Sequence, residues 1–352
     1  QLSTIDFSNN LNMSVVSINS NQISQLDVSH LSSLQILWCH SNNLNQLDLS
    51  QNPLLNTLMC YGNQLIQLDI RNGNILSMIS TPNFNSNSII KKPNRIYWNK
   101  ILNNPLSPLT DRTVQGLYSP GSTFKMIVAI AALKHGVVDT SIKLECKGKI
   151  DYGDRLFHCW KTRGHGVMNI VTAIQESCDV FFYNLAIKVG IDKIAKVAKD
   201  FGLGQIYPFK VANQKKGIIP SKKWKKDNLK EKWYGGETLI AAIGQGYVLT
   251  TPLQLAVMTS RIASGGKKIL PSILKDKNLK NFDTMKEYKN EIKIIQKAMF
   301  KVVNEKKGTA NKSKSKNFTF SGKTGTSQVK KITLAERESD DFRNTEIEWK
   351  NR

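Results

Sequence analysis

Tyr118-Ser119-Pro120-Gly121-Ser122-Thr123-Phe124-Lys125 is the stretch around which the later part of the chain is organised. Pro120 and Gly121 interrupt the backbone. Ser122 then leads into the apolar run Met126-Ile127-Val128-Ala129-Ile130-Ala131-Ala132-Leu133, closed by Lys134, His135 and Gly136. An apolar run with a basic last turn and a trailing glycine marks a helix. It is apolar nearly all the way round, so it is expected inside a core. Lys125 follows Ser122 by one turn, which places ammonium and hydroxyl on one face. A buried lysine is costly unless paired or used, and burial favours the neutral amine that accepts a proton. A serine at a helix start also has backbone N–H groups aimed at any oxyanion forming beside it. The two residues read as nucleophile and base on one turn. The plainer alternative is an N-cap serine beside a snorkelling lysine.

Two later stretches favour the first reading. Ser177-Cys178-Asp179 lies between two helical patterns, and Ser321-Gly322-Lys323-Thr324-Gly325-Thr326-Ser327 follows the strand-like Phe318-Thr319-Phe320. Ser-x-x-Lys, Ser-Asp-Asn and Lys-Thr-Gly form the motif set of penicillin-binding proteins and class A β-lactamases, and the order here is the same.

The beginning of the chain is of a different kind. Residues 1–74 repeat with a period of 21: Leu2, Ile23, Leu44 and Leu65 fall in register, as do Ile5, Leu26, Leu47 and Leu68, and Asp6, Asp27, Asp48 and Asp69. Phe7, Val28, Leu49 and Ile70 follow the aspartates, and Asn21, Asn42 and Asn63 form a further ladder. The pattern resembles leucine-rich repeats, an α/β solenoid in which short strands stack and asparagines bind the turning backbone. Cys39 and Cys60 stand at equivalent positions, as stacked core cysteines would. A binding face for protein or glycan is the functional alternative to a purely structural module.

The 352 residues suit two domains, 1–74 and 75–352. No run of about 18 apolar residues is present, so no transmembrane helix is expected. Gln1 leads directly into the repeat, so no signal peptide is expected either. The net charge of +23 combines −3 from residues 1–74, where Arg71 faces four aspartates, with +26 from residues 75–352. Lysines crowd 210–232, which reads as a loop, and 306–316. Such charge suits nucleic acid or an anionic membrane surface, but no nucleic-acid motif accompanies it and a solvated surface is the simpler expectation. The spacing predicts a strand over 75–80, an irregular stretch up to Tyr118 and mixed turns over 139–166. Helices are predicted near 169–176, 180–189, 192–201 and 283–304, and another capped by Thr251-Pro252 and running to Gly265.

Residues 75–352 resemble the transpeptidase domain of class B, elongation-type penicillin-binding proteins (the penicillin-binding protein 2 family), an α+β fold shared with β-lactamases. Beyond the three motifs the likeness includes Gly73-Asn74-Ile75-Leu76-Ser77-Met78, Gln115-Gly116-Leu117, Val180-Phe181-Phe182-Tyr183, Ile243-Gly244-Gln245-Gly246-Tyr247 and Thr251-Pro252-Leu253-Gln254-Leu255-Ala256. The resemblance implies a peptidoglycan D,D-transpeptidase of the cell wall that also binds β-lactams. Ser122 would attack the D-Ala-D-Ala carbonyl of a stem peptide, Lys125 would take its proton, and Ser177 would relay a proton to the departing D-alanine. Asp179 stands where many relatives have Asn. Lys323, Thr324, Gly325 and Thr326 would hold the substrate carboxylate, and the N–H groups of Ser122 and Thr326 would form the oxyanion hole. It further implies elongation-machinery membrane proteins as partners and a place on the periplasmic face of the inner membrane. In the family a membrane anchor and a pedestal domain precede this domain, and two more strands and a helix follow the Glu348–Lys350 region, so the chain is expected to lack the last strands.

Cys146, Cys159, His165 and Cys178 fall at C-x12-C-x5-H-x12-C, enough donors for a closed tetrahedral zinc shell, with His158 as an alternative imidazole. By resemblance, some relatives hold zinc with a histidine, a cysteine in the Ser-x-Asp motif and two carboxylates. His165 and Cys178 match the first two, and Cys159 and Cys146 would replace the carboxylates. A Cys146–Cys159 disulfide in an oxidising compartment and buried free thiols compete with zinc. For function, the alternatives are a serine β-lactamase-like hydrolase and a non-catalytic binding protein that uses the repeats.

Overall fold

A computed structural model describes residues 2–39, 95–209, 213–273, 281–314 and 319–327, with shorter pieces between 42 and 84. In the repeat region β1 (Val15–Ser17), β2 (Ile36–Trp38) and β3 (Thr57–Met59) form a parallel sheet. Its register, Val15 to Ile36 to Thr57, advances by one sequence repeat per strand. Each turn therefore lays equivalent residues above one another, and Val28, Leu31, Leu34, Leu37, Ile23 and Leu44 close into a small core of their own. Asn42 ties successive turns together: its Nδ2 donates to the Ile18 and Cys39 carbonyls at 2.9 and 3.0 Å, and its Oδ1 accepts from the Ile23 N–H at 3.0 Å. Cys39 is buried in this core. Cys60, Asn63, Leu65, Asp48, Asp69, Leu49 and Ile70 lie outside the described residues.

β4 (Ile66–Leu68) continues the periodic sequence but pairs antiparallel with β5 (Ile75–Met78). Ile75 and Met78 pack on a second cluster formed by Val114, Tyr207, Leu253 and Val257.

The main core surrounds α2 (Lys125–Lys134), which is buried from Lys125 through Ala132. Around it pack α4 (Asp179–Val189), α5 (Ile191–Asp200) and α9 (Lys289–Asn304), while α3 (Ile170–Gln175) packs on α9 and α7 (Gly235–Ala242) on α4. α8 (Pro252–Ala263) starts with Thr251 accepting from the Gln254 N–H and Pro252 in the first turn, as the sequence predicts. Two antiparallel pairs, β6 (Leu144–Cys146) with β9 (Gly166–Met168) and β7 (Lys149–Tyr152) with β8 (Arg155–His158), fill the 139–166 region.

Three expectations need correction. The stretch before Tyr118 contains a helix, α1 (Arg95–Leu102). The lysine-rich 210–232 contains α6 (Lys222–Leu229), capped by the Ser221 hydroxyl on the Trp224 N–H at 3.0 Å. Lysine is a good helix former, and the one that faces inward, Lys225, is met by the carboxylates of Glu231 at 3.1 Å and Glu237. Burial works against its charge, but the two carboxylates outweigh it and hold the ammonium above its ordinary value. Finally, the strand expected at Lys323 is not found: 319–327 joins no ladder among the described residues. An extended segment becomes a strand only when a neighbour takes up its N–H and C=O groups.

Candidate active site

Residues 121–124 wind as a tight 3-10 turn, and the α-helix starts at Lys125, not Ser122. Gly121 opens the turn at φ +55°, a conformation open to glycine and strained for other residues. The turn is clamped on two sides. The Gly121 N–H donates to the Gly244 carbonyl at 3.0 Å, and Tyr118 exchanges hydrogen bonds of 2.9 Å each way with Thr250. On the other side a β-carbon on Gly121 would lie 2.3 Å from the Thr326 carbonyl oxygen, so the Lys-Thr-Gly-Thr segment crosses directly against this turn. Only glycine allows that approach.

Ser177 ends α3 at the position usually given to glycine. The Cys178 N–H reaches back to the Ala173 carbonyl at 2.9 Å and the Ser177 N–H to the Ile174 carbonyl at 3.2 Å, a Schellman closure, with Ser177 at φ 55°. This turn delivers the hydroxyl between two lysines. Lys323 Nζ lies 2.8 Å from Ser177 Oγ, and Lys125 Nζ lies 3.3 Å from it. Lys125, fully enclosed, also donates to the Ser177 carbonyl at 2.8 Å and to Asp179 Oδ1 at 2.6 Å. Its hydrogen bonds thus go to Ser177 and Asp179 rather than to Ser122 one turn away. Burial first, and the charge of Lys125 second, push the Lys323 ammonium well below the ordinary lysine range, with Asp179 opposing. Lys323 also reaches the Thr324 carbonyl at 3.0 Å, and Thr324 Oγ1 shares a 2.8 Å hydrogen bond with Thr309. Thr309 and Trp160 are site residues that sequence reading missed, since neither belongs to a motif. Gly325 packs against Thr123. Lys125, Ser177, Asp179 and Lys323 therefore form one network, Thr324 continues it, and Thr326 lies against the turn that holds Ser122.

Cys146, Cys159, His165 and Cys178 come together beside this network, their donor atoms all within 4.8 Å of one another. His165 Nδ1 is 3.6 Å from Cys146 Sγ and 3.5 Å from Cys159 Sγ, and Cys159 Sγ is 4.0 Å from Cys178 Sγ. A tetrahedral zinc shell of thiolates and imidazole has donors roughly 3.3–3.8 Å apart; the two His165 contacts fall in that range and the Cys159–Cys178 separation lies just outside it. His165 Nε2 is buried without a hydrogen-bond partner, which leaves Nδ1 as the working nitrogen. Hydrogen bonding with the Cys159 and Cys178 sulfurs brings the Cys146 thiol down to about 2, while the Cys146 sulfur first and the Cys159 sulfur second push Cys178 up. His158 stays outside the cluster, on β8 paired with Lys149. All four described cysteines are free thiols, so Cys146 and Cys159 are not bridged. The cluster abuts the Ser177–Asp179 turn, because Cys159 Sγ accepts from the Asp179 N–H at 3.3 Å.

The family model for the penicillin binding protein transpeptidase domain matches residues 65–342, beginning just ahead of β4. Peptidoglycan D,D-transpeptidase MrdA of Acinetobacter baumannii is 35% identical over 279 residues, 76% of this chain and 41% of that protein. Its namesake from Escherichia coli K12 is 30% identical over 272 residues, 74% of this chain and 43% of the relative. The chain thus spans less than half the length of these curated relatives. Among solved structures, the complex between penicillin-binding protein 2 and MreC from Helicobacter pylori aligns with a TM-score of 0.70 at 33% identity, covering 74% of this chain and 50% of that one. Penicillin-binding protein 2 of Pseudomonas aeruginosa in complex with WCK 5153 aligns with a TM-score of 0.67 at 31% identity, covering 74% and 62%.

Proposed function

The chain belongs to the penicillin-binding protein transpeptidase family, and from that premise we propose that it is a serine peptidoglycan D,D-transpeptidase that also binds β-lactams. The observation that carries this reading is Ser177 Oγ held between Lys323 and Lys125, the lysine three residues after Ser122. Ser122 Oγ attacks the D-Ala-D-Ala carbonyl of a donor stem peptide as Lys125 takes its proton. The negative oxygen is received by the Ser122 and Thr326 backbone N–H groups, each such donor being worth about 10²–10³ in rate. As the tetrahedral adduct collapses, the C–N bond breaks and Ser177 passes a proton to the leaving D-alanine amine. Lys323, with Thr324 and Thr326, holds the substrate carboxylate and supplies positive potential. Asp179 holds Lys125. The amine of a second stem peptide then resolves the ester to give the cross-link. Intact mass after penicillin treatment should show one adduct, lost in Ser122→Ala. An adduct surviving that change would refute the assignment, and steady nitrocefin hydrolysis would indicate a β-lactamase instead.

Elongation-machinery membrane proteins are the proposed partners and the periplasmic face of the inner membrane the proposed location. Support comes from two similar structures, the complex of penicillin-binding protein 2 with MreC from Helicobacter pylori and a peptidoglycan synthase complex. No helix among the described residues is long and apolar enough to cross a membrane. We read residues 1–74 as leucine-rich repeats and residues 75–352 as the transpeptidase domain. The parallel sheet advancing by one repeat per strand supports the first assignment.

We also propose a structural zinc ion held by Cys146, Cys159, His165 and Cys178, supported by their convergence. The ion would pin the turn that carries Ser177 and Asp179 against β6 and β8, tying local folding to the site. Protein purified without chelator should contain about one equivalent. Less than about half an equivalent, with Cys146–Cys159 found bridged in peptide mapping, would exclude it.

A further inference from the structure

The Ser177 turn is held by a side chain that the proposed chemistry does not use. A non-glycine residue at φ 55° carries a conformational cost, and here the turn persists because two donors bind the Ser177 carbonyl. One is Lys125 Nζ at 2.8 Å; the other is the indole Nε1 of Trp160 at 3.1 Å, which reaches the Glu176 carbonyl at 3.1 Å as well. Trp160 is itself fixed at both ends. Its backbone N–H donates to Asp179 Oδ2 at 2.8 Å, and its ring meets His165 edge to face at 5.2 Å between centroids. Yet the residue is 44% exposed, so burial of apolar surface does not account for its placement. The two donors differ in kind. Lys125 changes protonation when it takes the Ser122 proton, whereas an indole N–H is donor only and does not titrate.

We propose that Trp160 is a positioning residue whose indole N–H keeps Ser177 in its left-handed turn, with Oγ between Lys125 and Lys323, while Lys125 changes charge. This rests on the acyl-transfer reading above, with Ser177 as the proton relay.

Two measurements on the full chain test it. The first needs no activity: amide exchange followed by NMR. In Trp160→Phe, which keeps the ring and removes the N–H, the Cys178 amide should exchange about five-fold faster, the worth of one hydrogen bond. Protection should return in Trp160→Phe/Ser177→Gly, since glycine adopts the turn unaided. Unchanged exchange in Trp160→Phe, or no recovery in the double variant, would overturn the proposal. The second is acylation by a fluorescent penicillin. Trp160→Phe should lower the acylation rate constant about ten-fold with the preceding dissociation constant within two-fold, and should have no further effect in a Ser177→Ala background. An equal loss in both backgrounds would place Trp160 on another step. If the unmodified chain fails to label at Ser122, the acyl-transfer reading fails, and the exchange experiment still decides the clamp.

Discussion

Ser177 and Lys323 carry two different costs for the same hydroxyl. At Ser177 the cost is conformational, a side chain in a glycine slot. Ser177→Gly should therefore raise stability by about 1 kcal/mol in denaturant titration while abolishing transfer, because the hydroxyl proposed as the relay is lost. A destabilised variant would mean that the hydroxyl's hydrogen bonds outweigh the strain. At Lys323 the cost is electrostatic. Its folded pKa is depressed, so the unfolded chain binds more protons between that value and about 10.4, and stability rises with pH across the window. The penalty is fully present below the window. Lys323→Met is thus expected to raise the thermal midpoint near neutral pH, with the gain shrinking as pH climbs toward about 10, and to slow acylation. A gain independent of pH would rule out charge burial as the cause.

At the scale of elements, the nucleophile turn has no regular secondary structure to hold it beyond its own 3-10 winding. It is gripped by backbone from two distant segments, 244–250 and 326. A β-carbon on Gly244 would lie 2.2 Å from the Gly121 carbonyl oxygen, and Gly244 itself has φ +70°. Gly244→Ala must displace the turn relative to the Lys-Thr-Gly-Thr segment on its other side. A shift of about 1 Å in a catalytic group costs on the order of 10² in rate, so labelling by penicillin should slow by that much. Labelling within two-fold of the unmodified chain would show that the turn accommodates the shift. The far side of the same loop is steadied by Tyr247, which packs between Trp224 and Trp233 with Lys225 Nζ 5.8 Å from its ring. α6, inside the lysine-rich segment, therefore supports the loop that meets Gly121 as well as adding surface charge.

At the scale of the whole molecule, the repeat core and the core around α2 are separate clusters of buried side chains. The periodic sequence nonetheless runs past the point where parallel stacking stops, since β4 pairs antiparallel with β5. Deleting residues 1–64 should leave penicillin labelling and the main unfolding transition of the remainder unchanged. Deleting residues 1–74 strips β4 from β5 and should lower the midpoint, because β5 then loses its ladder partner. Equal behaviour of the two truncations would show that β4 contributes nothing to the larger unit.

Much of this was legible without the fold. A repeat of 21, an apolar run bounded by Gly121 and Gly136, and the Thr251-Pro252 cap are short-range signals, and the helices and stacked strands follow from them. The three motifs named Ser122, Lys125, Ser177, Asp179 and Lys323 because spacing within each motif is local chemistry. What only the tertiary structure decided depends on residues far apart in the chain. Lys125 meets Ser177 across 52 positions and Lys323 meets it across 146, so their distances and the depressed charge on Lys323 emerge only when the helices pack. The same holds for His165 over His158 as the cluster imidazole, for the lysine-rich segment that folds as α6, and for Trp160 on the Ser177 carbonyl. Composition predicts solvation for a lysine run and nothing for an isolated tryptophan. Only burial, and the carboxylates and carbonyls that packing brings to them, gives Lys225 and Trp160 their places.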